Sequence, residues 1–493
     1  MAPEPSFYWH DYETFGANPA SDRPAQFAGL RTDAELREIG EPLLLYCRPP
    51  EDYLPHPDAC LITGITPQLA HERGLAEHEF IARIHAELVQ PATCAVGYNS
   101  IRFDDEFTRH TLYRNFFDPY EREWRNGNSR WDLIDVLRMA RALRPDGIEW
   151  PDHPDGRPSF RLGDLSRANG IEHADAHDAL ADVRATLALA RLLRTRQPKL
   201  FDYALRARDK NWVRAQFDYS GSKALLHVSA RFAAENGSMA LVLPLAEHPG
   251  QPNKVIVCNL ALDPSPLERF DGERLRELLY TPAAALPADT VRVPLKELHL
   301  NRSPMVAPAA MLTPDLAARH GIDLARCESN RQRVCAIRGL REKLAASYRE
   351  AAERPLVDPE LALYDGFFCD RDRRLAERVR LLDGAELARQ GVPFEDQRLQ
   401  ELLFRYRARN FPSSLNANES VRWREHCEER VQRKPLRGGL DCAALRERIE
   451  VLRVERDGDA RAQAVLDAVA AWGDERCGSG FSPTDASARD TSA

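Results

Sequence analysis

The stretch FYWHDYETFG, residues 7–16, places two carboxylates, Asp11 and Glu13, two positions apart in an aromatic run with the composition of a β-strand. Side chains alternate across a strand, so these acids share one face with Phe7 and Trp9, while Tyr8 and Tyr12 occupy the other. With apolar bulk on both faces, the strand belongs in the middle of a sheet flanked by helices. Two acids aimed together at the end of a buried strand repel each other, and a proton or a cation between them relieves the repulsion. Magnesium suits such a place, because it takes hard oxygen ligands and keeps room for waters and phosphate oxygens. Alone, an acid pair of this spacing marks no more than an exposed strand end. What decides is the remainder of the first 198 residues.

Two further runs, AQFAGLRTD (25–33) and EIGEPLLLYCRP (38–49), read as strands that continue a meander from the first. In residues 51–75, loop and short helix are expected, with Thr66 and Pro67 as N-cap and first helical position. AEHEFIARIHAELVQ (76–90) carries Phe80, Ile81, Ile84 and Leu88 at helical spacing, one buried stripe. TCAVGYN (93–99) is a fourth, buried strand, and Asp104 and Asp105 follow it at the start of the helical pattern Phe107, Leu112, Phe116. An acid at that junction lies beside the carboxyl edge of the sheet, where α/β ligands bind. One of the two is expected to serve only the helix N-terminus.

SRWDLIDVLRMARALRP (129–145) reads as a helix closed by Pro145, and RLGDLSRANGI (161–171) as a short helix stopped by Gly170. AHDALADVRATLALARLLRTRQP (176–198) is a long helix ending at Pro198, with His177 in its entry turn and Asp182 beyond it. From about residue 199 short strand-like runs, HVSARF, MALVLPLAE, NKVIVCNLAL and TVRVPLKELHL, suggest a small antiparallel β-domain with a helix at 265–280. Residues 313–352 turn helical, and from Pro355 to Trp472 the chain is almost wholly helix-like. The division expected is therefore 1–198, an α/β domain; 199–353, a β domain; 354–475, a helical domain; and 476–493, a disordered tail.

Apolar and charged contents of 43% and 29% are those of a soluble globular protein. The beginning of the chain lacks a basic segment followed by an apolar core, and no apolar run approaches the roughly 18 residues of a membrane span, so a cytoplasmic protein without membrane contact is expected. Ten cysteines are scattered without a CxxC, which predicts reduced thiols and no zinc site. The net charge of −8 argues only mildly against nucleic acid, because phosphate contact depends on a local stripe of cations. No GxxxxGK[ST] argues for a nucleotide-driven motor.

The ordered set D-x-E, then D, then H-x4-D is the donor list of a two-metal phosphodiesterase. Four carboxylates on one sheet edge would be held by two Mg²⁺ about 3.5–4 Å apart, which clamp an in-line displacement. A histidine of pKa about 6.5 takes the proton of the attacking water near neutral pH.

This set resembles the DEDDh exonuclease superfamily. The wording around it, HDYETFG, GYNSIRFDDE, NSRWDL, PSFRL, GIEHADAHDALADV, RQPKLFDY and YRARNFP, is similar to that of its bacterial exodeoxyribonuclease I family from about residue 6 to about 475. The resemblance implies a ribonuclease H-like exonuclease domain of α/β class with a mixed sheet, a Src-homology-3-like β-barrel domain and an all-α C-terminal domain, closing like a letter C. It implies that Asp11, Glu13 and Asp182 ligate metal, that Asp104 completes the acidic set through water, and that His177 is the general base. It implies further that Glu13 and Arg161 hold substrate and that Arg109, Tyr120, Trp124 and Arg138 line the strand's path. Aromatics that stack bases and arginines that pair with phosphate fit that role. Arg144 and Tyr203 would receive the acidic C-terminal tail of single-stranded DNA-binding protein.

The activity so implied is Mg²⁺-dependent, processive 3′ to 5′ hydrolysis of single-stranded DNA to 5′-mononucleotides, by a monomer acting in DNA repair and recombination, with Mn²⁺ able to substitute. Two alternatives remain: an RNA exonuclease of the same superfamily, since the 2′-hydroxyl is read by pocket contacts, and a catalytically silent single-strand-binding scaffold.

Overall fold

The computed structural model describes residues 3–173, 178–282, 285–287, 290–349, 357–433 and 435–478. Strand β1 (Ser6–Thr14) is the axis of the first domain. It pairs antiparallel with β2 (Pro24–Thr32), which pairs with β3 (Glu38–Tyr46), and on its other side runs parallel to β4 (Thr93–Gly97). With β5 (Ser129–Asp132) at the far edge the sheet is mixed, in the order β3-β2-β1-β4-β5. The expected meander of the first three strands is present.

The parity of β1 governs what covers each face. Phe7 and Trp9 pack into one core with Val136 and Leu137 of α5 (Leu133–Leu143) and Val183 and Leu187 of α7 (Ala179–Arg196). Tyr8 and Tyr12 pack into another with Phe80 and Ile84 of α3 (Glu77–Leu88) and Leu112 of α4 (Asp104–Arg114). Burying each such large apolar side chain stabilises the fold by about 1.5–3 kcal/mol.

Three sequence expectations need correction here. The stretch 129–145 is not all helix: Ser129–Asp132 is a strand whose Arg130 and Trp131 pair in parallel with Ala95 and Val96. Trp131 is fully buried, its indole N–H donating to the Ala204 carbonyl at 3.2 Å, and this tertiary pairing outweighs the local helical pattern. One helix besides the expected one is present, α1 (Pro57–Thr63), before α2 (Pro67–Arg73), where the Thr66 hydroxyl accepts from the Leu69 N–H as expected. Likewise, Pro198 ends one helix by opening another: after α6 (Leu162–Ala168) and α7 comes α8 (Pro198–Arg206), with proline at its first position.

Residues beyond Arg206 form an antiparallel five-stranded sheet from β6 (Leu225–Val228), β7 (Met239–Glu247), β8 (Lys254–Asn259), β9 (Leu295–His299) and β10 (Met305–Pro308), in the order β10-β6-β7-β8-β9. The helix expected at 265–280 is broken into Ser265–Arg269 and Gly272–Tyr280. Among the described residues from 357 onward every regular element is helical, ending in Cys442–Glu455 and Ala460–Cys477. The expected tail begins within that last helix, and residues 479–493 lie outside the described residues.

Those last two helices correct the expectation of reduced thiols for one pair, the other eight cysteines being free. They fold back on each other, bringing Cys442 and Cys477 to a Cα separation of 5.9 Å, and the two form a disulfide. Scatter along the sequence carried no information about this proximity in space.

The helical domain is fastened to the first by a core that joins Cys60 and Ala70 to Leu466 and Val469, and by buried charges. Glu360, with no exposed surface, accepts from Arg23 at 2.7 Å and from Arg405 at 3.2 Å, and pairs with Arg409. The β-domain is held by the Arg130 guanidinium, which donates to the Asn301 carbonyl at 3.0 Å, and by the Tyr203 hydroxyl, which donates to the Val306 carbonyl at 3.0 Å.

Candidate active site

The acids of the sequence pattern reach one place because three elements end there. Asp11 and Glu13 come from one face of β1, whose register with β2 shifts between Glu13 and Thr14. A bulge at that point re-aims the strand end beside the site. Directly across from Glu13 lies Gln26, and its side-chain oxygen accepts from the Ala179 N–H at 3.2 Å, fixing the start of α7 against the sheet. Asp178 caps that helix, accepting from the Ala181 N–H at 3.1 Å, and Asp182 follows in its first turn. Carboxylate oxygens of Asp11, Glu13 and Asp182 thereby lie within 4.8 Å of one another.

Asp104 is the first residue of α4 and is almost wholly buried. Its Oδ1 accepts from the Tyr12 backbone N–H at 3.0 Å, so it hangs from the strand segment between the two β1 acids. The loop that delivers it is shaped by Asp132, which accepts from the N–H groups of Asn99 at 2.8 Å and Ile101 at 3.2 Å. Asp105 points elsewhere: it accepts from Arg122 at 2.6 Å and Arg130 at 2.9 Å, and these guanidinium groups outweigh the cost of its burial and hold its carboxyl well below the usual range. Of the adjacent pair, the first joins the pocket and the second ties the helix to its neighbours.

The pocket is electrostatically unsatisfied. Burial, then Asp104, Glu13 and Asp182 beside it, push the Asp11 carboxyl well above the ordinary carboxylate range. Burial and Asp182 push Glu13 up to about 9, and burial and Asp105 raise Asp104. Near neutral pH such a cluster holds protons or a cation. The donor set is all carboxylate oxygen, closely spaced and without thiol or imidazole among the three, which fits a hard divalent ion such as Mg²⁺ or Mn²⁺.

His177 lies outside the described residues, so its placement relative to Asp182 is not described. Arg161 is exposed just before α6; its backbone N–H donates to Ser159 Oγ at 3.3 Å. Arg109 is not an open cation: it makes a two-pronged pair with Glu123, at 2.7 and 2.8 Å, bonds Glu106 at 2.9 Å and lies over the Tyr120 ring at 5.4 Å. Trp124, by contrast, is 65% exposed. Arg138 pairs with Asp135 at 2.7 Å and covers the Phe160 ring. Arg144 is exposed at the end of α5, donating to the Leu143 carbonyl at 2.6 Å, and Tyr203 of α8, a helix that contacts α5, packs edge-on against Trp212.

Sequence reasoning missed three neighbours of these residues. His173 Nε2 sits 2.5 Å from Asp182 Oδ1. Its signal was the first histidine of EHADAH, passed over for the second. Tyr364, from the helical domain, bonds both Glu106 and Arg109, and Phe367 stands 83% exposed with its ring edge-on to Tyr120 at 5.8 Å. Their signal was YDGFF, where Gly366 takes φ +113° and turns the aromatics outward.

Comparison with known proteins shows the family to which this fold belongs. Family models match along the chain: "Exonuclease" over residues 8–190, "Exonuclease I SH3-like domain" over 208–350 and "Exonuclease I C-terminal domain" over 357–476. Exodeoxyribonuclease I of Escherichia coli (strain K12) is 49% identical over 437 residues, covering 88% of this chain and 92% of that protein. A moderately thermophilic exonuclease I from Methylocaldum szegediense superposes with a TM-score of 0.91 at 50% identity, over 96% of this chain and all of the other. The zinc-bound form of the Escherichia coli exonuclease I complex with single-stranded DNA does so with a TM-score of 0.91 at 46% identity, with the same coverage. The architecture is that of a ribonuclease H-like exonuclease domain with an SH3-like domain and a helical C-terminal domain, and the chain belongs to the exonuclease I family.

Proposed function

We propose that this chain is a processive 3′ to 5′ exonuclease that hydrolyses single-stranded DNA with Mg²⁺ and releases 5′-mononucleotides. The observation that carries this reading is the convergence of Asp11, Glu13 and Asp182 within 4.8 Å, with Asp104 hung beside them on the Tyr12 N–H. That the Escherichia coli relative is named Exodeoxyribonuclease I, and was solved with single-stranded DNA and with zinc, supports the substrate and the use of a divalent ion.

In this reading the functional units are 1–198, 199–353 and 354–475. Asp11, Glu13 and Asp182 hold the metal, two ions per site, and Asp104 completes the set through water. When bound, divalent metal supplies acidification of a water and stabilisation of the leaving oxyanion. His177 takes the proton of the attacking water, and the 3′-hydroxyl of the shortened strand departs. Glu13 and Arg161 hold the terminal nucleotide. Trp124 and Tyr120, extended by Phe367, offer π-faces that stack bases without reading sequence, while Arg109, held over the Tyr120 ring, and Arg138 line the strand's path. Arg144 and Tyr203 form the receptor for the acidic tail of single-stranded DNA-binding protein. The enzyme acts as a cytoplasmic monomer in DNA repair and recombination.

A 5′-labelled DNA oligonucleotide tests the proposal. It should shorten from its 3′ end in Mg²⁺ and stay intact with chelator or with Asp11→Ala. Immediate release of the labelled nucleotide would reverse the polarity, and faster decay of a matched RNA would overturn the substrate.

A further inference from the structure

We propose that His173 is a positioning residue for the acid pocket: its imidazole donates to one oxygen of Asp182 and thereby presents the other oxygen to a divalent ion. The inference rests on the metal-binding reading above and adds a residue to it.

Three observations carry it. First, Nε2 of His173 lies 2.5 Å from Oδ1 of Asp182, and against the ionised carboxylate that a metal ligand presents, which only accepts, it is the imidazole that donates. Second, the ring is held in place: its side chain is 7% exposed, and it lies against α6 at Gly163, where a Cβ would come within 3.6 Å of Nδ1. Third, the pocket already uses this device once, since Asp104 is oriented by the Tyr12 N–H at 3.0 Å. Two of the four acids are thus steered by a fixed N–H donor. Metal-ligating side chains are regularly oriented by such outer hydrogen bonds, and losing one costs about 10- to 100-fold in metal affinity.

The same geometry separates His173 from a proton acceptor. With Nε2 committed to Asp182, the only other ring nitrogen is Nδ1, which lies on the Gly163 side of the ring, 3.6 Å from where a Cβ there would stand. A base needs its lone pair toward the reacting water.

Mn²⁺ binding to the full-length protein without DNA, followed by electron paramagnetic resonance, tests this. His173→Ala should weaken Mn²⁺ binding about 10- to 100-fold. His173→Gln, whose amide N–H falls near the position of Nε2, should recover most of that loss. On single-stranded DNA the acid limb of the pH–rate profile should keep its position in His173→Gln. Unchanged Mn²⁺ affinity in His173→Ala, no recovery in His173→Gln, or loss of the acid limb in both variants would each overturn the proposal. If wild type itself takes up no Mn²⁺ while Asp11→Ala behaves identically, it is the metal reading that has failed.

Discussion

Tyr12 and Asp104, 92 residues apart in sequence, are joined by a 3.0 Å hydrogen bond from the backbone N–H of one to the carboxylate of the other. Through it the central strand fixes the acid that opens α4. Asp104→Asn keeps an oxygen for the Tyr12 N–H but removes a negative charge from the pocket. It should lower turnover on single-stranded DNA about 10²-fold or more, a loss of the size seen when one charge-stabilising group is removed. In chelator the same variant should melt above wild type, because a repulsion is gone, and Mg²⁺ should narrow that gap. Paired kinetics and thermal melts check both halves.

Stability without metal should fall as pH rises. Burial and Asp182 raise Glu13 in the folded state to about 9, so the folded protein binds protons that the unfolded chain has released. The sign is that of a raised pKa: this contribution is fully present below the ordinary glutamate value near 4.5 and is lost as pH passes through about 9. Melts in chelator from pH 5 to about pH 9 should show the decline. Saturating Mg²⁺ should flatten it, and Glu13→Gln should lessen it, the raised carboxyls of Asp11 and Asp104 keeping the rest; an equally steep curve in the variant would assign the decline elsewhere.

Glu360 is the buried hub of the contact between the exonuclease and helical domains, facing Arg23, Arg405 and Arg409. Those cations outweigh burial and hold its carboxyl well below the usual range. Glu360→Ala would leave three buried guanidinium groups short of a partner, a loss of about 3–5 kcal/mol by the rule for half-broken buried pairs. Denaturant unfolding should record a lower midpoint, and limited proteolysis should cut between the domains sooner than in wild type.

Cys442 and Cys477 close a loop with a sequence separation of 35, which constrains the unfolded chain by about 3–4 kcal/mol. Cys477→Ser, or wild type with reductant, should therefore lose several degrees of melting temperature. Oxidised and reduced wild type melting together would show that the bridge does not form in solution.

How legible these features were depends on their range. Period-two alternation in β1 puts Asp11 and Glu13 on one face whatever the tertiary context, so the acid pair and both covering cores could be read from residues 7–16. Asp104 was legible as an acid after a strand, and its split from Asp105 as one site and one structural role. Ser129–Asp132 was not legible, because four residues running without a turn into α5 share its pattern, and only pairing with β4 makes them a strand. The Cys442–Cys477 bridge, the Glu360 hub and Tyr364 against Arg109 all join segments far apart in the chain, where local sequence is silent. His173 was within reach, nine residues before Asp182, but nothing local says which of two histidines turns toward the acid.

The adjacent phenylalanines of YDGFF offer a contrast between substrate contact and packing. Phe368 lies parallel to Tyr113 at 5.9 Å with the Arg398 guanidinium also over its ring, whereas Phe367 is 83% exposed beside Tyr120. Phe367→Ala removes little buried surface, so its melting temperature should match wild type. If the exposed ring stacks a base, its loss should weaken oligonucleotide binding by about 1–3 kcal/mol, roughly 5- to 150-fold in affinity. Phe368→Ala should do the reverse, lowering the melting temperature through lost packing against Tyr113 and changing affinity mainly through that loss. Fluorescence anisotropy in chelator, where no digestion occurs, separates the two. Wild-type affinity in Phe367→Ala would take the helical domain's aromatic out of the strand's path and leave Trp124 and Tyr120 to form it alone.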